Sequence, residues 1–209
     1  MRRIFVLAVA SAAIVGVAVG VLLHNEFGSS RALARPALPA LYGEATWRSG
    51  EVPAPAFRLR DQHGRMVQLT ALRGRAVVLA FMDSLCTSEC PIEAAQFAAA
   101  LHPLPAAERP RLVVVSVDLA DTPQSVARAA RKWHLPAGYE WLLGTHAQLA
   151  PVVWRAYGIA VRPTKDGDVE HSDAFYVIDR SGDERAGFIA PFIPGLLTRD
   201  LRRLAATTM

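Results

Sequence analysis

The chain has 209 residues and a mass of 22.6 kDa, room for one domain with accessories or two very small ones. Hydrophobic residues make up 52% and charged residues 20%, which excludes a disordered chain, and two cysteines exclude a disulfide-rich scaffold. The net charge of +4 includes Arg2 and Arg3 at the extreme N-terminus, so it is only a weak pointer to nucleic acid and no such partner is expected. The sequence holds no P-loop, no paired metalloprotease histidines, no Gly-x-Ser-x-Gly elbow and no internal repeat.

Residues Ile4 to Leu23 run without a charge, between Arg2-Arg3 and His24-Asn25-Glu26. Twenty helical residues at about 1.5 Å each cover roughly 30 Å, the thickness of a bilayer core. Residues 1–26 are therefore read as an N-terminal transmembrane anchor. The arginines keep the N-terminus cytoplasmic and put the rest on the outer, periplasmic side of the inner membrane. A cleaved signal peptide is the other reading, but its apolar region is usually about 7–15 residues long. Residues 27–56 are rich in Ala, Pro, Ser, Gly and Arg, and are read as an extended linker to a domain over 57–209.

That domain opens with alternating residues around Asp61-Gln62-His63-Gly64, the pattern of a β-hairpin. Ala76 to Phe81 and Arg111 to Asp118 are continuous apolar runs suited to strands buried on both faces, and so to the middle of a sheet. The alanine-rich stretch from Pro91 to Leu101 predicts a helix with proline in its first turn. Asp121-Thr122-Pro123 caps a second helix running to about Trp133. Trp141 to Leu143 predicts a short strand, and Thr145 opens a helix ending near Tyr157-Gly158. A loop from Ile159 to Ser172 precedes a second hairpin, 174–179 and 185–189, and Pro194 to Ala206 predicts a last helix. Strands alternating with helices give an α/β fold, a mixed central sheet flanked by helices on both faces.

Cys86 and Cys90 follow the first buried strand and precede a helix. In open α/β sheets sites form there, beyond the carboxyl ends of strands. Pro91 fixes the start of that helix, so Cys90 is read near the N-cap, where the exposed amides favour a thiolate over a thiol. Three intervening residues let the pair close a disulfide or grip one ion, so spacing alone points to redox or metal chemistry, with two buried structural cysteines as the plain alternative. His171, in the long loop, is the histidine to weigh. On pattern alone a loop histidine is usually solvated, and the histidines at 63, 102, 134 and 146 read as structural.

From about Phe57 to Leu204 the chain resembles the Sco/SenC family of membrane-anchored, thioredoxin-fold copper proteins. The resemblance rests on Leu72-Arg73-Gly74-Arg75, Cys86-Thr87-Ser88-Glu89-Cys90-Pro91, Val115-Ser116-Val117-Asp118 with Asp121-Thr122-Pro123, and Glu170-His171-Ser172 before Tyr176-Val177-Ile178-Asp179. It implies a thioredoxin-like fold and a copper site made by Cys86, Cys90 and His171. It also implies a role as a copper chaperone in assembling the binuclear copper site of cytochrome c oxidase subunit II, or of another copper-protein client. The sequence departs from the family pattern at Thr87, where a proline is usual, and at Glu170, where an aspartate is common. The segment from Asp118 to Asp121 is also one residue short. Two thiolates and an imidazole suit Cu(I), and can hold Cu(II) with help from weaker ligands. Zinc prefers four ligands, and no third cysteine exists. The same dithiol would also serve a membrane-tethered thiol–disulfide oxidoreductase or a redox sensor, with Cys86 and Cys90 as the reacting groups and no need of His171.

Overall fold

The structure is a computed structural model and describes residues 41–165 and 169–206. The anchor read over 1–26 lies outside the described residues, as does the first half of the linker. Among the described residues no helix is long and apolar enough to cross a membrane.

The strands in chain order are β1 (Ala45–Thr46), β2 (Arg58–Asp61), β3 (Met66–Gln68), β4 (Val77–Met82), β5 (Arg111–Ser116), β6 (Glu140–Leu143), β7 (Val161–Pro163), β8 (Val169–His171), β9 (Ala174–Ile178) and β10 (Glu184–Ile189). The α-helices are α1 (Glu89–Leu101), α2 (Pro123–Lys132), α3 (His146–Leu149) and α4 (Pro194–Ala206). Eight strands form one sheet in the order β1-β10-β9-β4-β5-β6-β2-β3, and β7 and β8 form a separate two-stranded ribbon. β4, β5 and β6 run parallel, while the remaining neighbours are antiparallel. β4 and β5 occupy the middle of the sheet, as their unbroken apolar runs demand, because both faces there are covered.

Alternate side chains of β4 enter two cores. Val78, Ala80 and Met82 pack with Phe97 of α1, Val126 of α2 and Leu201 of α4. Val77, Leu79 and Phe81 face Leu69, Leu149 and Trp154 on the opposite side. The three longer helices thus cover one face, and the short α3 with its following turn covers the other.

Two stretches differ from the sequence expectation. The helix read from Thr145 to Tyr157 is only four α-helical residues, followed by a π-helical turn over Ala150–Trp154. Pro151 has no N–H to donate within that helix, so the α pattern cannot continue, and the Arg155 amide bonds the Ala150 carbonyl instead. The linker read to residue 56 is folded onto the sheet in its second half. β1 pairs with β10, the Trp47 amide donates to the Arg185 carbonyl at 3.1 Å, and Pro53 bridges Asp183. The composition of 41–56 reads as tether, yet Trp47 stacks on Tyr176, and the Tyr42 ring lies 4.5 Å from the Arg203 guanidinium. A few aromatic contacts outweigh the local excess of small residues. Gly43 makes the approach possible, since a Cβ there would lie 2.7 Å from the Gly187 carbonyl.

Candidate functional site

β4 ends at Met82, and the chain turns at once. The Asp83 carboxylate accepts from the Leu85 amide at 2.7 Å, and its carbonyl accepts from the Cys86 amide at 3.3 Å. This Asx-type turn sets Cys86 half-buried at the carboxyl end of β4. α1 starts two residues before Pro91, so Cys90 is the second residue of the helix rather than its cap. Pro91 costs no hydrogen bond there, because the first turn has no intrahelical acceptors to meet. Cys90 is 1% exposed, and both cysteines are free thiols.

The pair is chemically unequal. The Cys90 amide donates to the Cys86 sulfur at 3.4 Å, and the Ser88 hydroxyl lies 3.8 Å from that sulfur. Hydrogen bonding from the Cys90 thiol, aided by these groups and against the cost of burial, brings Cys86 down to about 5. Donating that bond to a thiolate, together with burial, pushes the Cys90 thiol well up. The thiolate expected at Cys90 near the helix start falls instead on Cys86, because the Cys90 amide and thiol both donate to the Cys86 sulfur while Cys90 itself is buried.

His171 ends β8, where the ribbon holds it by pairing with Val161. The expected loop is in this part a short antiparallel ribbon, further pinned by bonds from Ser172 N–H to the Ala160 carbonyl and from Ala160 N–H to the Ser172 hydroxyl. The imidazole is 7% exposed, and its Nδ1 lies 3.0 Å from the Ser172 carbonyl. A carbonyl only accepts, so Nδ1 is the donor in this contact, which makes Nε2 the nitrogen available to a metal. His171 and the dithiol share one end of the domain: Asp173 feels both the His171 and the Cys86 charges, and Glu93 feels Asp173 and Cys86. The imidazole and the two sulfurs are nevertheless not all within 4.8 Å of one another. The one trio of potential ligand groups that close among the described residues is Asp83, Asp118 and Asp121.

Those carboxylates did not stand out in the sequence as part of a site, although Asp118 and Asp121 lie in a motif stretch. Asp121 ties the site together. One of its oxygens accepts from the Ser84 hydroxyl and the other from Ser116 at 2.6 Å, while Ser84 also reaches Ser125 of α2. The loop carrying Cys86 is thus fastened to β5 and to the cap of α2. Burial, then the neighbouring Asp121, Asp118 and Cys86 charges, push Asp83 up to about 6. Burial likewise raises Glu93, one helical turn beyond Cys90, with Asp173 and Cys86 adding to it. A thiolate surrounded by carboxyl groups is a setting that a bound cation relieves.

A mixed sheet with its parallel strands at the centre, helices on both faces and a Cys-x-x-x-Cys between a central strand and the next helix defines a thioredoxin-like α/β protein. The profile of the SCO1/SenC family matches residues 47–205, and the chain belongs to that family. Among solved structures it is similar to Bradyrhizobium japonicum ScoI with copper bound, at 28% identity and a TM-score of 0.63, over 73% of this chain and 99% of that one. Arabidopsis thaliana ScoI with copper bound is 23% identical, with a TM-score of 0.66 over 74% of this chain and 99% of that one. BsSco, described by a disulfide switch and as a member of the Sco family of cytochrome c oxidase assembly proteins, is 19% identical, with a TM-score of 0.65 over 79% of this chain and all 100% of its own. The last two bear on the fold alone. A search of curated proteins found no match.

Proposed function

We propose that the protein is a membrane-anchored copper carrier that binds copper through Cys86, Cys90 and His171. We further propose that it delivers the metal to the binuclear copper site of cytochrome c oxidase subunit II. The observation that carries this reading is the unequal dithiol at the head of α1, half-exposed thiolate beside buried thiol, at the same end as an imidazole whose Nδ1 is occupied. Two sulfurs and one nitrogen form a soft set that suits Cu(I). The reading requires the imidazole, carried on the separately paired β7–β8 ribbon, and both sulfurs to meet on one ion. Copper bound to the ScoI protein of Bradyrhizobium supports the cargo. The carrier would be held on the outer, periplasmic face of the inner membrane by residues 1–26, with its N-terminus cytoplasmic, where an integral oxidase presents its copper domain.

A second reading has its own support in the same thiols, a thiolate at Cys86 beside a protonated Cys90. The Cys86 thiolate can attack a client disulfide, forming a mixed disulfide and releasing one client thiolate. Cys90 then passes its proton to the released client thiolate and attacks the Cys86 sulfur, expelling the second client thiolate. The client disulfide is reduced by two electrons, and Cys86–Cys90 is oxidised by two. Complementation separates the two roles. A strain lacking the protein is grown at limiting copper with wild-type, C86S or H171A chains. A carrier fails to restore oxidase activity with either variant, whereas a pure reductase fails only with C86S. Protease added to intact spheroplasts should degrade the domain; recovery of a soluble periplasmic product beginning after Leu23 would remove the anchor.

A further inference from the structure

A cavity of about 810 Å³ opens at the other end of the sheet. Arg111 and Glu140 stand at the starts of the parallel strands β5 and β6, whereas the dithiol lies past the end of β4. Six strand residues at about 3.3 Å each separate the two ends by roughly 17–20 Å. Arg65, Arg75, Arg109, Arg111, His63 and His102 line this cavity, and Glu140 is the only acidic residue among the lining groups.

Two of the four guanidinium groups are already matched. Arg111 pairs with Glu140 at 2.6 Å, and Arg65 with Asp61 at 2.7 Å. The other two are held but not neutralised. Arg75 donates to the carbonyls of Ala106 and Arg109, the latter at 2.7 Å. Arg109 donates to the carbonyls of Leu104 at 2.9 Å and His102 at 3.4 Å. A carbonyl orients a guanidinium but carries no net charge, and neither Arg75 nor Arg109 has an ion-pair partner among the described residues. Each arginine carries five N–H donors, and the bonds to carbonyls use only part of them. The result is two uncompensated positive charges with pre-oriented forks, tied to one loop and facing a cavity of ligand size.

We propose that this cleft binds a phosphoryl dianion at Arg75 and Arg109. Two unneutralised guanidinium groups lining one cavity match the charge of a phosphate monoester, and a planar fork matches its oxygens. A singly charged carboxylate would leave one of the two positive charges unmatched. Free inorganic phosphate and the headgroup of phosphatidic acid share this chemistry.

Calorimetric titration of the full chain in uncharged micelles tests the site. The probes are inorganic phosphate, dihexanoyl phosphatidic acid below its micellar concentration, and dihexanoyl phosphatidylcholine as the neutral control. Saturable binding of a dianionic probe, weakened about tenfold or more in R75Q/R109Q, supports the site. Phosphate binding alone assigns the free anion, and phosphatidic acid binding alone assigns the headgroup. Arg75 and Arg109 also steady the 102–109 loop, so the wild-type titration is repeated at higher ionic strength, where affinity must fall. The proposal is overturned by no binding of either dianion, by equal affinity in R75Q/R109Q, by equal binding of phosphatidylcholine, or by an affinity that ignores salt.

Discussion

The acidity of Cys86 is a property of its partner. The largest influence lowering it is the hydrogen bond from the Cys90 thiol, ahead of the amides of Cys90 and Ser88 and the Ser88 hydroxyl. Alkylation of Cys86 should therefore stay near its maximal rate from alkaline pH down to about pH 6, and fall as the pH drops through about 5. In C90A the thiol donor is gone, and the midpoint should move up toward the ordinary thiol value, reaching it only in part because the backbone amide at 3.4 Å remains. The pH–rate profile of iodoacetamide modification checks both. A wild-type midpoint in the ordinary thiol range, or a C90A profile that does not move, contradicts this account. Cys86 and Cys90 were legible in the sequence from their place between strand and helix. Their inequality was not, because it depends on which sulfur ends up under the helix. His171 was legible only through resemblance, since nothing in its neighbours marks it. The carboxyl groups around the thiolate come from β4, α1, β5 and the ribbon's exit, and no spacing rule joins residues so far apart.

At the scale of elements, the N-terminal strap decides where the domain begins. Residues 41–56 supply β1, the Trp47 stack on Tyr176, and the Tyr42 amide that gives the Asp200 carboxylate bonds of 2.8 and 3.0 Å. Asp200 is fully buried, so stripping that amide away leaves a buried carboxylate short of donors, at about 1–3 kcal/mol. The lost contacts of half-buried Trp47 add about 1 kcal/mol. A chain starting at residue 41 should be as stable as one starting further upstream, whereas one starting at residue 57 should lose roughly 2–4 kcal/mol in urea unfolding. Equal stability of the two truncations would show the strap to be a passenger. The central strands were legible because burial on both faces leaves an unbroken apolar run, and α2 because Thr122 and Ser125 form a reciprocal cap. The strap was missed for the opposite reason. It is anchored by scattered aromatic contacts and a two-residue strand, which leave no period to read. The short helix after Thr145 was over-extended because its amphipathic pattern continues past Pro151, where the α hydrogen bonding does not.

Over the whole molecule, charge is sorted to the two ends of the sheet, carboxyl groups around the dithiol and arginines around the opposite cleft. The fold also buries several carboxyl groups whose protonated form it prefers. Burial, opposed by the Tyr42 and Gly43 amides, raises Asp200 to about 6, Asp83 is raised to about 6, and Asp121, Glu93 and Glu184 are raised as well. Between the ordinary carboxyl range and about pH 6 these groups then bind more protons in the folded state than in the unfolded state, so their contribution to stability falls as pH rises through that window. Asp61 is held below its ordinary value by Arg65 and by the Arg65 and His63 amides, despite its burial, and its contribution is lost only at lower pH. Cys86, held down to about 5, contributes in the opposite sense above that pH, so the carboxyl groups are read in a C86S background, where urea midpoints should be higher near pH 5 than near pH 7 and D200N, far from the dithiol, should narrow the difference. A C86S midpoint that rises toward pH 7, or a C86S/D200N slope equal to that of C86S, contradicts this.

The central claim is that Cys86, Cys90 and His171 hold one copper ion. Its most direct test is an anaerobic Cu(I) titration of the reduced full-length protein against a competing chelator, run on wild type, C86S, C90S and H171A. The account predicts one tightly held ion per chain in wild type and near loss of binding in either serine variant, because one thiolate and one imidazole are a poor site for soft Cu(I). H171A should bind more weakly than wild type, yet still close its disulfide on oxidation, since that chemistry needs only sulfur. Wild-type affinity in H171A, or undiminished binding in C86S, would contradict the three-ligand carrier.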